Sequence, residues 1–408
     1  MFNRMGVPNG QMALFTSLLY LPWTLKPLWS PFVDILKTKR WWILSMQRLM
    51  TAAMLLLAFS IPHPDPATIA AQQTPVHLFT LTLVLFIITA FASATHDIAA
   101  DGFYMLALPQ KQQSFFVGIR STFYRISSIF GQGVLVFVAG LLEHRGDIPA
   151  AWMITTGITA ILLATLTLWH IFAVPRPKDD APRPQSMANH YTAADMMREF
   201  GRAFTSFFRK PIVWIGIVFM LLYRLPEAFL LKMVNPFLLD PTDKGGLALP
   251  TETVGIVYGT IGIMALTLGG IAGGVYASKR GLRKSLWPMA ACMTLPCLTF
   301  VYLSIVCPES LVVIGSCIAV EQFGYGFGFT AYMLFMMYIS EGEFKTSHYA
   351  LCTAFMALSM MIPGMFAGYL QEHLGYVHFF GMVIACCMAT VAVTFVVMHK
   401  VDETYGRK

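Results

Sequence analysis

The sequence predicts an all-α membrane protein built as two helical bundles, and three observations predict it. Of 408 residues, 56% are hydrophobic and 12% charged, against roughly 45–50% and about 25% in soluble domains. The apolar residues gather in runs long enough for a helix to cross a bilayer, which takes about 20 residues. The basic residues collect in alternate connections between those runs. A soluble globule is excluded, because 28 Lys and Arg with 21 Asp and Glu cannot surface the two or three domains such a length would form.

Eleven segments meet the length rule: 12–31, 42–62, 77–97, 115–142, 151–173, 211–239, 253–277, 285–306, 311–338, 346–369 and 376–398. Helices are required rather than strands, since a spanning strand alternates apolar and polar residues and the run from Leu81 to Ala92 is continuous. The first segment enters a loop holding Lys37, Lys39 and Arg40. The third and fourth flank Lys111, and the fifth and sixth enclose seven cations between Arg176 and Lys210. Lys279, Arg280, Arg283 and Lys284 follow the seventh, Lys345 the ninth, and Lys400, Arg407 and Lys408 the last. These 19 cations face Arg4, Arg145 and Lys244 across the bilayer, which predicts a cytoplasmic carboxyl terminus and an outward amino terminus. The net charge of +7 is thereby topological, and no nucleic-acid partner is expected.

The organisation follows: an amino-terminal bundle over 1–173, a linker over 174–210, a carboxyl-terminal bundle over 211–398 and a tail over 399–408. The linker opens Pro-rich, from Val174 to Pro184, and its second half reads as a capped helix beginning at Thr192 and Asp195. Met196, Phe200, Phe204 and Phe207 with Arg198, Arg202 and Arg209 make it amphipathic, a brace on the inner leaflet. All seven cysteines lie in the second half without ligand spacing, so they are packing thiols and no metal or cofactor is expected. No signal-peptide pattern precedes the first apolar segment.

An internal repeat relates the two bundles. Gly274-Val-Tyr-Ala-Ser278-Lys279-Arg280-Gly281-Leu-Arg283-Lys284 joins two spans, and Ser30-Pro-Phe-Val-Asp34-Ile-Leu-Lys37-Thr-Lys39-Arg40 occupies the same kind of loop near the start. Both resemble the G-x-x-x-D-R-x-G-R-R loop of the major facilitator superfamily, with Ser278 in place of the usual Asp and no glycines in the first copy. The resemblance implies a gating loop formed by Asp34, Lys39 and Arg40 in one half and Gly274, Lys279, Arg280, Gly281 and Arg283 in the other. Simple positive-inside clusters are the alternative reading.

Four further stretches resemble the AmpG-type muropeptide permeases and related acetyl-CoA transporters of that superfamily. They are Leu21-Pro-Trp-Thr-Leu-Lys26 through Asp34, Ser93-Ala-Thr-His-Asp97 through Asp101, Tyr223-Arg224-Leu-Pro-Glu227, and Glu321-Gln-Phe-Gly-Tyr-Gly-Phe-Gly328. The resemblance implies a monomeric symporter in the bacterial inner membrane, taking up anhydromuropeptides with protons during cell-wall recycling. It implies twelve helices as well, and here one span precedes the first gating loop where two precede the second. A missing first helix is therefore expected, and with it poor transport by residues 1–408.

Charges inside spans are costly unless paired or wet, so each is a functional candidate. They are Lys26, Arg48, Asp97, Asp101, Arg120, Arg125, Arg224, Glu227, Lys232 and Glu321. Glu227 and Glu321 lie deep in their spans and lead as proton-coupling groups; Asp97 and Asp101, one helical turn apart, could couple or pair with Arg120 or Arg125. Lys26, Arg120, Arg125 and Arg224 are candidate anchors for an anionic substrate, with fixed ion pairs as the alternative, and Tyr223 and Gln322 join them beside the charges. Tyr223, Phe323 and Tyr325 could stack on a sugar ring, whereas Trp23, Trp29, Trp41, Trp42 and Trp287 fit interfacial belts. The glycines at 255, 259, 269, 270, 273 and 274, and at 324, 326 and 328, read as helix-packing faces.

Two other functions compete. His96-Asp-Ile-Ala-Ala-Asp101 matches the H-x-x-x-x-D pattern of membrane acyltransferases, but no loop here can build their extramembrane domain, so no enzyme is expected. A paralogue that senses a ligand without moving it remains the second.

Overall fold

The computed structural model describes residues 1–107, 123–177, 180, 193–342, 345–403 and 405. Among these residues every regular element is a helix. The first half begins with α1 (Asn9–Leu18) and α2 (Leu21–Ile35), two short helices in line. It continues through α3 (Lys39–Ser60), α4 (Thr80–Ala107), α5 (Phe123–Glu143) and α6 (Ile148–Ala173). After α7 (Ala193–Phe208), the second half holds α8 (Val213–Leu222), α9 (Leu225–Leu239), α10 (Thr251–Arg280), α11 (Leu282–Val306), α12 (Leu311–Ser340) and α13 (Lys345–Met398).

Nine helices among the described residues are long and apolar enough to cross a membrane. The expected eleven differ at the two ends of the chain. Segment 12–31 is divided between α1 and α2, with 10 and 15 residues, and neither alone has the length. Segments 346–369 and 376–398 run together as the 54-residue α13, interrupted at Gly375, whose φ of 70° and ψ of 166° are not helical. Large apolar side chains cover the outside, among them Phe59 (75% exposed), Phe172 (86%) and Val312 (78%). A continuous apolar surface of this kind is stable against lipid tails and not against water.

The second half carries the larger core. Phe229, Leu230, Met233 and Phe237 of α9 pack with Phe300, Ile318, Phe379 and Phe380, and Phe219, Tyr223, Tyr332 and Phe335 form a second cluster beside them. Glycines bring α10 and α12 into backbone contact: a Cβ on Gly269 would stand 2.1 Å from the Phe323 carbonyl, and one on Gly326 2.1 Å from that of Leu266.

Each half is tied at the linker face by its own basic loop. In the first, Arg40 donates to the carbonyls of Val174 (3.1 Å) and Ile171 (2.7 Å) at the end of α6. Asp180 of the linker accepts from the backbone amides of Lys39 (2.6 Å) and Arg40 (3.0 Å), capping α3. In the second, Arg283 pairs with Glu403 at 2.5 Å, and the Leu282 amide donates to the Tyr405 carbonyl. Gly281 turns the chain at φ 77°, where an L side chain would be strained. Gly274 instead lies within α10, where a Cβ would meet open space, so no close approach demands glycine there. Arg280 stacks over Tyr276 and, with Lys279, places positive charge at the carboxyl end of α10. Asp34 lies on α2.

The linker helix α7 packs against the second half. Phe207 is fully buried and stacks on Phe355, while Ser206 bonds to His348 at 2.9 Å.

Candidate functional site

The spanning pair α8 and α9 is the most enclosed of the candidate spans, with 67% of its most apolar stretch buried. The helix breaks within it at Tyr223 and Arg224, because Pro226 removes a backbone donor in the first turn of α9. Broken backbone inside a membrane must find other partners. The Tyr223 carbonyl accepts from Thr390 Oγ1 at 3.0 Å, and the Tyr223 hydroxyl donates to the Gly328 carbonyl at 3.1 Å.

Arg224 is 5% exposed and its guanidinium sits on aromatic faces, 4.7 Å from the Phe329 centroid, 5.4 Å from Tyr325 and 5.8 Å from Tyr332. It donates to the Tyr325 hydroxyl, while its Nε has no partner. Glu227 follows Arg224 by three residues, yet no salt bridge at 4 Å or less joins them among the described residues; the two interact at longer range. Glu227 and Glu321 are each 1% exposed and near enough to interact electrostatically. Gln322 donates to Glu321 at 2.8 Å, whereas neither Glu227 oxygen has a donor beyond what a proton shared with the Glu321 carboxyl would supply. Tyr258, on the π-helical segment Gly255–Gly262 of α10, borders the same acids. One cation, two acids and four tyrosine or phenylalanine rings thus share one buried region, unevenly satisfied.

Of the residues singled out by sequence, the structure gathers Arg224, Glu227, Glu321, Gln322 and Tyr325 here. Tyr223 lies beside them but is fully buried, with its hydroxyl used in holding the helix break. Lys26 and Asp97 are elsewhere: they pair with each other at 2.6 Å across α2 and α4, so Lys26 already has an anionic partner. Asp101 follows one turn later on α4. Arg125 donates to Thr267 at 3.3 Å and touches α10 rather than Asp97. Arg120 lies outside the described residues. His96, the would-be catalytic base, contacts Gln47 at 3.1 Å, and Gln47 also reaches His170 at 2.8 Å.

Phe329 and Tyr332 escaped the sequence reading. With Tyr325 they recur at i, i+4 and i+7, one helical face, and that spacing was a usable signal. Tyr20, which meets Lys232 at 5.3 Å, and Thr16, which accepts from it at 3.2 Å, could not be found in sequence because the contacts cross between halves.

The Major Facilitator Superfamily profile matches residues 3–347. The anhydromuropeptide permease of Escherichia coli strain K12 is 23% identical over 395 residues, covering 96% of this chain and 73% of that protein. In fold, the D-xylose-proton symporter superposes with a TM-score of 0.68 at 15% identity, over 98% of this chain and 89% of its own. The nucleoside transporter NupG gives 0.67 at 14% identity, over 98% and 93%. With a family match across most of its length and an apolar exterior crossed repeatedly by helices, the chain belongs to the Major Facilitator Superfamily and is a multi-pass membrane transporter, not an enzyme.

Proposed function

We propose that this transporter imports an anhydromuropeptide or similar sugar-containing solute together with protons, by alternating access across a bacterial inner membrane. One observation carries the reading: Glu227, in the most enclosed of the candidate spans, and Glu321 are both buried and close enough to interact, with Arg224 in the same region. Two adjacent buried carboxylates repel, and a proton bound between them relieves the repulsion. A group that gains and loses one proton on each cycle is what a symporter requires. Arg224, with Nε unpartnered over an aromatic surface, suits an anionic sugar derivative, since it offers a charge and rings to stack on together.

The likeness to the E. coli anhydromuropeptide permease supports that choice of solute over other sugar-like compounds. The lysine and arginine asymmetry supports a cytoplasmic carboxyl terminus and a cytoplasmic 174–210 linker. Taking α1 with α2 as one broken crossing, and α13 as two about Gly375, gives eleven crossings, five in the first bundle and six in the second. The unit is a monomer whose halves rock about the region between α9 and α1, with the loops at Arg40 and Arg283 anchoring each half at the inner leaflet.

Uptake of labelled anhydromuropeptide into proteoliposomes, with and without an imposed proton gradient, tests the reading. Accumulation that follows the gradient, slow but above that of protein-free liposomes, is the expected result. Uptake indifferent to the gradient would remove proton coupling, and binding without uptake would favour a sensor.

A further inference from the structure

Lys232 is a spanning-helix cation that the import reading leaves without work. It stands five residues after Glu227, about 140° around α9, and so faces the first half rather than the acids. Its ammonium donates to Thr16 Oγ1 at 3.2 Å and lies 5.3 Å from the Tyr20 ring centroid. Thr16 spends its own proton on the Met12 carbonyl at 2.7 Å, so toward Lys232 it only accepts. Among the described residues no carboxylate reaches the ammonium, which can donate three hydrogen bonds and makes one. A charge so placed in a membrane-spanning segment is costly without a counter-ion.

The lysine stem is closely packed and has a further unsatisfied polar group beside it. Gly364 of α13 backs the lysine stem, and a Cβ there would stand 3.0 Å from Lys232 Cε and 2.6 Å from Ser17 Oγ. Ser17 is fully buried and its hydroxyl has no partner. Three helices, α1, α9 and α13, therefore meet around an under-satisfied ammonium and an unsatisfied hydroxyl.

We propose that Lys232 is a second anion-binding point, which takes a carboxylate of the substrate and gives up Thr16 and Tyr20 in exchange. This rests on the import reading and deepens it: the solute must be an acid, held by Arg224 at one point and by Lys232 at another. Because Thr16 and Tyr20 belong to the first half and Lys232 to the second, loading removes a tie between halves. Charge recognition and release of that tie become one event.

The test uses the purified full chain and two probes, a labelled anhydromuropeptide with free peptide carboxylates and the same compound with those carboxyls amidated. Wild type is expected to bind the free acid at least about tenfold more tightly, as a charge-assisted contact warrants. Lys232→Gln should lower that preference severalfold, leaving the share that Arg224 supplies, while binding the amidated compound as wild type does, which also reports that the variant has folded. Lys232→Arg should retain much of the preference, and Thr16→Val all of it. An unchanged preference in Lys232→Gln, or equal loss of both compounds, overturns the assignment and leaves muropeptide import standing. Wild type binding neither compound overturns the import reading and the assignment with it.

Discussion

A carboxyl group enclosed within a membrane-spanning helix is costly unless it is protonated, paired or hydrogen-bonded, which makes it a functional candidate. Glu227 is in that position and Glu321, held by Gln322, is its neighbour. If the pair carries the coupling proton, Glu227→Gln and Glu321→Gln keep the shape and lose the titration. Each should abolish gradient-driven accumulation and leave solute exchange in proteoliposomes. Unchanged accumulation in both variants would remove the pair from the mechanism. Arg224→Ala should weaken binding of the free-acid muropeptide by about tenfold or more, as loss of a buried charge-assisted contact does; equilibrium binding measures it, and intact affinity would leave Arg224 a packing cation. These residues were legible in sequence because a charge in an apolar run stands out whatever the fold. Lys26 was equally visible, yet it is neutralised by Asp97. Sequence displays the charge, and only the packing of α2 on α4 displays its partner.

At the scale of elements, the decisive features are places where helices depart from ideal geometry. Two π-helical segments, Phe130–Val134 in α5 and Gly255–Gly262 in α10, meet between the halves. A Cβ on Gly259 would stand 1.9 Å from the Gln132 carbonyl, and one on Gly133 2.5 Å from Thr260 Oγ1. A second seam pairs Gly368 with Asn9, 2.0 Å from its carbonyl. The sequence marked Gly255 and Gly259 as a packing face and was right about the kind of contact, but a small-residue spacing names no partner. Gly259→Val should force the two halves apart at this seam, and accessibility of a cysteine placed at Thr260 to an aqueous maleimide should rise. Equal labelling with and without the substitution would show that the seam does not govern closure. The break at Tyr223 and Arg224 is a second such place. Thr390→Val leaves the freed Tyr223 carbonyl without its donor and should cost about 1–3 kcal/mol, measurable as a lower unfolding midpoint in detergent.

For the molecule as a whole, the face remote from the linker is closed by polar groups drawn from both halves, and Asp240 is their hub. The residue is 2% exposed and accepts from Asn3 (2.9 Å), Asn9 (3.1 Å), Gln72 (3.1 Å) and Tyr376 (2.6 Å). Around it, Gly10 donates to Glu372, Thr251 to Glu143, and His144 contacts Glu252, each joining a first-half residue to one from the second. Nothing in the sequence marked Asp240, because a lone acid at the end of a span is ordinary and its partners lie up to 237 positions away. A carboxylate that four donors satisfy is worth more than any one of its bonds, since removing it strands the donors together. If alternating access opens this face, those bonds must break in one step, and the hub sets how often they do. Asp240→Ala should therefore populate a state in which the face is open. Spin labels at Arg145 and Asp243, exposed positions on the first and second halves of that face, report it directly. In a background with the seven cysteines replaced, the distance distribution should gain a longer component in the variant. A distribution identical to that of the unsubstituted hub would mean that Asp240 does not govern closure, and that the remaining polar contacts and the glycine seams hold the face shut without it.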